Sequence, residues 1–189
     1  MPDGEEMNLK DLLAEKKPAI LNRWLDVITE TYPAETSVFL KKHKDQFSNP
    51  IGYTLAQSTE AVLDELIEGA DAEKSASILD TVIRIKAVQE GAPSGALLFI
   101  FLLKGIIREM LGQSAEERSV AEELVLLESA IDAVALRAFD GFIKCREKIY
   151  ELKANETKNM TYRLLQKARL LTEIPGEDSY KPLPKEVAK

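Results

Sequence analysis

The fold of this chain is decided by the stretch Arg84–Lys104, which reads RIKAVQEGAPSGALLFIFLLK. Gly and Pro in its centre separate two helical segments. Successive side chains of an α-helix are rotated by about 100°, and on this spacing five side chains of the first helical segment form a stripe that points within about 50° of one direction. The members of that stripe are Ile78, Val82, Ile85, Lys86 and Gln89. A Lys and a Gln on a core-facing stripe need partners, because an unpaired buried polar group costs roughly 1–3 kcal/mol.

Helix start and stop signals extend this pattern in both directions along the chain. Asn8, Asn49 and Asp71 are each placed to cap a helix, and Gly112 is placed to end one. Pro18 either kinks the first helix or begins a new one. No alternating strand pattern of useful length appears. The sequence therefore predicts an all-α protein.

The last two helices have special patterns. Ala96–Leu103 is apolar all round, which predicts a helix surrounded by its neighbours. Ser114 and Glu117 form a capping box for the last helix, and the next proline is Pro175. About 60 helical residues, roughly 90 Å, can follow that capping box. An apolar stripe with three- and four-residue spacings runs along this helix from Leu124 to Leu152.

Beyond Leu152 the stripe weakens and then resumes. The residues that we expect to form an interaction surface there are Met160, Arg163, Leu164, Lys167, Ala168 and Leu171. No other part of the sequence is placed to cover this stripe, so we predict a homodimer. The predicted organisation is a helical bundle over 1–152, an extended helix over 153–174 and a disordered tail over 175–189.

Composition and charge limit the class of protein. The chain has 189 residues, of which 45% are hydrophobic and 30% charged, the balance of a globular domain. Its net charge of −7 argues against general affinity for nucleic acid. The charge is uneven, because residues 144–169 contain eight Lys or Arg and three Glu, a local +5 that leaves −12 elsewhere. A solvated helix surface accounts for this basic segment, and a docking arm for an acidic partner is the alternative.

The ends of the chain and its apolar runs predict a cytoplasmic protein. Residues 1–6 are acidic, the reverse of a signal peptide. The apolar run Gly95–Leu103 is far shorter than the ~20 residues that a membrane span needs. A single cysteine, Cys145, excludes an intramolecular disulfide. Because Cys145 falls on the apolar stripe, we interpret it as a core residue rather than a redox sensor.

Several short motifs occur in an order and spacing that a known family shares. They are Phe47–Gly52 (FSNPIG), Arg84–Gln89 (RIKAVQ), Pro93–Ala96 (PSGA), Phe101–Lys104 (FLLK), Ile131–Asp132, Ala135–Leu136, Ala138–Asp140 (AFD) and Cys145–Lys148 (CREK). On these residues the chain resembles the N-terminal domain of the RsbRD-type stressosome co-antagonists, which regulate the RsbT kinase. The resemblance covers about Leu12 to Arg169.

This resemblance implies a helical, globin-like sensory input module. In the family such a module is usually joined to a C-terminal STAS domain that contacts the kinase. The chain ends at Lys189, so we expect a module that stands alone. Sensing or partner docking carries over to it as a hypothesis, and kinase antagonism does not. The family implies no catalytic residues.

Two groups of residues could bind a ligand. Lys86 and Gln89, with Ser94 at the start of the next helix, could line a pocket for a small anion. Internal hydrogen bonding is the interpretation that we favour, for example from Lys86 to a buried carboxylate such as Asp132. His43, the only histidine, could ligate haem or a metal, but it precedes the main bundle helices. We therefore predict no haem, no other cofactor and no metal.

No catalytic motif is readable. The sequence has no Ser/His/Asp ordering, no P-loop and no dinucleotide-binding glycine pattern, so we predict that the protein is not an enzyme. The leading hypothesis is a cytoplasmic regulatory or sensory module that acts through protein contacts, with a possible partner in a signalling complex. The alternatives are a small-molecule-binding bundle with a pocket beneath the Leu97–Leu103 helix, or a structural adaptor that uses Arg163, Lys167 and Arg169.

Overall fold

A computed structural model describes residues 8–42, 45–69, 71–89 and 91–168. Six α-helices and one short 3₁₀ helix account for most of these residues. They are α1 (Leu9–Glu30), α2 (Ala34–Lys42), α3 (Pro50–Glu68), α4 (Ala72–Val88), α5 (Pro93–Leu111), the 3₁₀ helix (Gly112–Glu116) and α6 (Arg118–Lys167). Since no strand occurs in the described part of the chain, the predicted all-α class is confirmed. The globin-like topology stays an expectation.

The predicted helix caps are present. Asn8 Oδ1 accepts a hydrogen bond from the Asp11 N–H at 2.9 Å, and Asp71 Oδ1 accepts from the N–H groups of Glu73 and Lys74. Each bond satisfies a donor that the first turn of a helix leaves without a partner. Pro18 lies inside α1 rather than at a helix start, so the helix continues through it.

Gly112 ends α5 with a left-handed φ of 56°, the conformation that favours glycine. The chain then enters the 3₁₀ helix, and the Glu117 N–H donates to the Ser114 carbonyl oxygen. The capping box predicted at Ser114 and Glu117 is therefore wrong, and α6 begins at Arg118. Its 50 residues still make it the longest helix in the described part of the chain.

The core lies where α1, α3, α4, α5 and the first half of α6 pack together. Trp24 and Phe142 are its largest fully buried side chains. The Trp24 indole N–H donates to the Phe99 carbonyl oxygen at 2.8 Å, which links α1 to α5 by a buried polar contact. The predicted stripe of α6 is buried from Leu124 to Phe142, whereas Leu152 is 58% exposed.

Helix α5 is not surrounded by its neighbours, contrary to the sequence-based prediction. Leu98, Phe101 and Leu102 are between 41 and 50% exposed, while Leu97, Phe99 and Leu103 on the opposite side are buried. Helix α5 packs on α1 and α4 and pairs with α6 through Lys104 and Arg108, and no described helix covers its remaining side. Its apolar sequence therefore leaves a hydrophobic surface on the outside of the bundle.

The chain divides into two structural units, residues 1–148 and 149–189, and α6 passes through the boundary. The first unit contains the core. In the second unit, every described residue from 151 to 168 is exposed. The domain boundary expected at residue 152 stays a prediction. The tail 175–189 lies outside the described residues. No described helix combines the length and hydropathy required to cross a membrane.

Ser75 provides a test of the packing. Its side chain is fully buried near the start of α4, and its hydroxyl has no hydrogen-bond partner among the described residues. Leaving a buried hydroxyl unpaired costs roughly 1–3 kcal/mol. We expect Ser75→Ala to raise the free energy of unfolding by about 1 kcal/mol in urea denaturation. A loss of stability would show that the hydroxyl has a partner in solution.

Candidate functional site

A cluster of polar side chains joins the ends of α1 and α4. Lys86 is only 5% exposed, and its Nζ donates to Thr31 Oγ1 at 2.8 Å. The same Nζ lies 4.4 Å from the centroid of the Tyr32 ring, within the range of a cation–π contact. Gln89 Nε2 donates to the Tyr32 hydroxyl at 3.2 Å. We call Thr31, Tyr32, Lys86, Gln89 and Arg146 the polar node.

The geometry of the node follows from where the helices end. Thr31 is the C-terminal cap of α1, and its hydroxyl donates to the Ile28 carbonyl oxygen. Lys86 lies in the last turn of α4. The ends of α1 and α4 both present carbonyl oxygens, which favour nearby cations. The Lys86 ammonium group therefore sits against a partial negative charge rather than a full one.

Burial is the main electrostatic influence on Lys86. It lowers the pKa of this amine from 10.5 to about 8, because the charged form loses its hydration. Among the described residues, no carboxylate contacts Lys86. The partner suggested from the sequence is wrong, since Asp132 accepts a hydrogen bond from Lys104 Nζ at 2.6 Å instead.

Arg146 connects α6 to this node. Its guanidinium donates to the carbonyl oxygens of Ala87 and Gln89, at 3.2 and 3.3 Å, and so satisfies acceptors at the end of α4. No sequence pattern singled out Arg146, Thr31 or Tyr32 as a site residue. The placement of Arg146 within the CREK motif was the available signal, but its partners are backbone atoms that no sequence pattern identifies.

We expect Arg146→Ala to reduce stability, because two carbonyl oxygens at the end of α4 would lose a charged donor. The expected loss is about 1–2 kcal/mol in urea denaturation. Arg146→Lys should recover only part of it, since a single ammonium group cannot reproduce the planar guanidinium geometry. Equal stability of wild type and Arg146→Ala would contradict this role.

The other predicted site residues do not join the node. Ser94 is exposed near the start of α5, and within the described residues it makes no hydrogen bond to Lys86 or Gln89. Cys145 is a free, half-buried cysteine. His43 lies outside the described residues, and no group of potential metal ligands occurs within them. A ligand at Lys86 and Gln89, the alternative to internal hydrogen bonding, stays a hypothesis.

The predicted interaction residues of the last helix are exposed as far as the structure describes them. Met160 is 58% and Leu164 63% exposed, and Arg163, Lys167 and Ala168 are also on the surface. The hydroxyls of Thr157 and Thr161 donate to carbonyl oxygens one turn earlier in the same helix. Leu171 lies outside the described residues.

A second feature of the surface is an open groove between α1 and α5. Its volume is about 580 Å³, and its apolar lining comes from Val27, Leu98, Phe99, Leu102 and Ile106. Arg23, Glu30, Thr31 and Glu109 add polar groups. This groove includes the exposed side chains of Leu98 and Leu102, so it differs from the pocket beneath the Leu97–Leu103 helix that the alternative function requires.

Comparisons with known proteins place the chain in a family. Residues 18–157 match the model of the N-terminal domain of the RsbT co-antagonist protein rsbRD. This range includes the whole polar node and most of the described helices. No significant match was found among curated proteins or among solved structures. The family model covers well over half of the chain, and the chain therefore belongs to the RsbT co-antagonist rsbRD N-terminal domain family.

Proposed function

We propose that this protein is a non-catalytic, cytoplasmic regulatory or sensory module that acts through protein–protein contacts. The family match over residues 18–157 is the observation that carries the proposal, because this family suggests an input domain of stressosome-type signalling. The match extends from α1 into the second half of α6 and is not confined to one short motif.

The chemistry of the polar node supports a structural role in transmitting a signal. Lys86, Thr31 and Arg146 hold together three helix segments, and Lys86 is too buried to meet a large substrate. A displacement of the end of α4 would therefore alter its contacts with both α1 and α6. Coupling of this kind needs an element with two arrangements, and the node is the place where we propose to look for it.

We also propose that the protein self-associates, and that the exposed stripe of the second unit contributes to contacts with other proteins. Met160, Leu164 and Ala168 follow a four-residue spacing on one side of α6. Exposed apolar residues with this spacing are typical of a helix that packs on another helix. The basic residues Arg163 and Lys167 flank the stripe and would favour an acidic partner.

The direct test of this function is binding to the kinase machinery that the family name implies. The full chain should be titrated with the RsbT-type kinase and with STAS-domain stressosome proteins from the same cell, by isothermal titration calorimetry. We expect a complex with a dissociation constant in the range of about 1–10 µM, typical of transient signalling contacts. Leu164→Lys should weaken it, and Leu126→Lys is the matched control on the first unit. Absence of binding to every component at about 100 µM would contradict the proposal.

The second candidate function is binding of a small apolar molecule, which the groove between α1 and α5 favours. Its volume is within the range of ligand sites. If this candidate is right, an apolar ligand should co-purify with the protein, and Leu102→Lys should release it. Mass spectrometry under native conditions would detect the bound mass.

A further inference from the structure

The groove between α1 and α5 is shaped by two rows of residues, one on each helix. In each row the lining residues recur every three or four positions, the spacing that keeps side chains on one side of a helix. The rows are Arg23 and Val27 on α1, and Leu98, Leu102, Gly105 and Glu109 on α5. The α5 row covers about three turns, or roughly 16 Å at 1.5 Å per residue. The groove is therefore as long as a short helix.

Carboxylates lie towards the two ends of this groove. Thr31 of α1 bonds Lys86 near the end of α4, and only a short connection separates α4 from α5. The end of α1 therefore lies near the start of α5, so Glu30 is towards one end of the groove and Glu109 towards the other. Glu109 makes no ion pair with any described residue. Arg23 is the single cation of the lining, and it pairs with Glu30 at 3.9 Å.

The first unit as a whole carries charge of the same sign. Residues 149–189 contain eight Lys or Arg and six Asp or Glu, a net +2, so residues 1–148 carry −9 of the total of −7. An acidic surface accelerates encounter with a basic partner and repels an acidic one. The charges therefore favour an occupant with basic residues on either side of its apolar part.

Gly105 indicates that the occupant lies close to the α5 backbone. This glycine is in the interior of α5, where glycine weakens a helix relative to alanine. Its backbone is not left-handed, and an added Cβ would meet no atom within 4 Å. Neither the conformation nor the packing of the described residues therefore requires a glycine here. Close approach of a second backbone does require one.

The exposure of the groove favours a helix over a small molecule. Leu98 is 50% and Leu102 41% exposed. Sites for small molecules enclose most of the ligand surface, whereas a small apolar molecule in this groove would leave one side in water. An amphipathic helix covers such a groove with its apolar side and turns its polar side to the water.

We infer that the groove between α1 and α5 is the docking site for a basic, amphipathic helix of a different protein. Apolar residues of that helix contact Leu98 and Leu102, and its backbone approaches α5 most closely at Gly105. Lys or Arg residues about three turns apart reach Glu30 and Glu109. The inference rests on the proposed function through protein contacts, and it gives the first unit a site and a class of partner.

The experiment is a fluorescence-anisotropy titration of labelled synthetic peptides with the full chain. The probe is a peptide of about 15 residues, made of Leu and Lys, with Leu at helical spacing. A second peptide has Glu in place of each Lys, and a third has the composition of the probe in an order without helical spacing. We expect the probe to bind with a dissociation constant below about 100 µM, and the other two at least about tenfold more weakly.

Four variants locate the binding site on the chain. Gly105→Leu fills the groove and Leu102→Lys places a cation in it, so each should raise the dissociation constant of the probe at least about tenfold. Glu109→Gln should raise it about two- to fivefold, as loss of an exposed ion pair does. Asn22→Leu is the control, because Asn22 is exposed on α1 but points about 140° away from Val27. It should leave the dissociation constant unchanged.

Thermal melting separates loss of binding from loss of folding. Gly105→Leu should melt at or above the temperature of the wild type, because the new side chain meets no atom of the fold. A destabilised Gly105→Leu with normal binding to Leu102→Lys would overturn the inference. Equal binding of the Lys and Glu peptides would also overturn it, as would unchanged binding to both groove variants.

Two further outcomes would assign the groove to another occupant and so overturn the inference. One is displacement of the probe, at similar concentration, by a peptide of residues 151–168 of this chain, which would indicate a second copy. The other is a co-purifying small molecule that competes with the probe and that Leu102→Lys releases. If the groove inference fails while the full chain binds the RsbT-type kinase or STAS-domain proteins, the proposed function stands. Failure of that binding alone would contradict the proposed function.

Discussion

Replacing Gly52 by Ala is expected to lower the free energy of unfolding by about 3–5 kcal/mol, measured by urea denaturation. A Cβ at this position would overlap Asn49 Nδ2 and lie 2.5 Å from the Leu40 carbonyl oxygen. Asn49 is 1% exposed. Its amide donates to the carbonyl oxygens of Phe39 and Leu40, and its Oδ1 accepts from the Gly52 N–H. Moving Asn49 aside would break these hydrogen bonds at a buried side chain.

The expected loss of stability is large because the added Cβ would overlap a backbone carbonyl oxygen and not only a flexible side chain. The Leu40 carbonyl belongs to α2, so relief of the overlap requires α2 to move away from α3. Gly141→Ala is the matched control, because its Cβ would meet only Ile83 Cγ2 at 4.0 Å in a helix interior. It should gain about 0.5–1 kcal/mol from the helix preference of alanine. Similar stabilities for the two variants would show that α2 is not held by Asn49.

Replacing Lys86 by Met is expected to remove a pH dependence of stability of about 2–3 kcal/mol. The native amine, with its pKa lowered to about 8, releases its proton before the unfolded chain does near 10.5. Between these two pH values the unfolded state binds more protons, so wild-type stability rises as the pH rises. Below pH 8 the native state carries the full cost of the buried charge. Lys86→Met should therefore be the more stable protein at pH 7.

The measurement is urea denaturation of wild type and Lys86→Met at pH 7 and pH 10. Other groups titrate in both proteins, so the difference between the two pH dependences isolates Lys86. Lys10→Met provides the control for the loss of a lysine whose side chain is exposed in the structure. An identical pH dependence in wild type and Lys86→Met would mean that Lys86 is as hydrated in the folded protein as in the unfolded chain.

Local sequence patterns predicted the helices more accurately than the contacts between them. The caps at Asn8, Asn49 and Asp71 are confirmed because each depends on atoms a few residues away. The inward direction of Lys86 is also confirmed, since helical periodicity sets it. The capping box at Ser114 is wrong because the left-handed Gly112 leads into a 3₁₀ helix that uses those residues.

The partners of the polar node could not be predicted from a local pattern. Thr31 and Tyr32 are more than fifty residues from Lys86 and Gln89 in the sequence, and only the packing of α1 on the bundle brings them together. The same limit explains α5. Its composition predicts a buried helix, but the number of helices around it is a property of the whole bundle. The ion pairs to α6 fix its register, and its outer side stays exposed.

We propose that this family member works through contacts with other proteins, including its own copies. Native mass spectrometry of the full chain, tagged and purified under mild conditions from its own cell, tests this proposal. We expect a homodimer, together with a larger assembly that contains the dimer and kinase or STAS-domain proteins. A monomer that carries a stoichiometric small molecule and no protein partner would contradict this function and favour ligand binding.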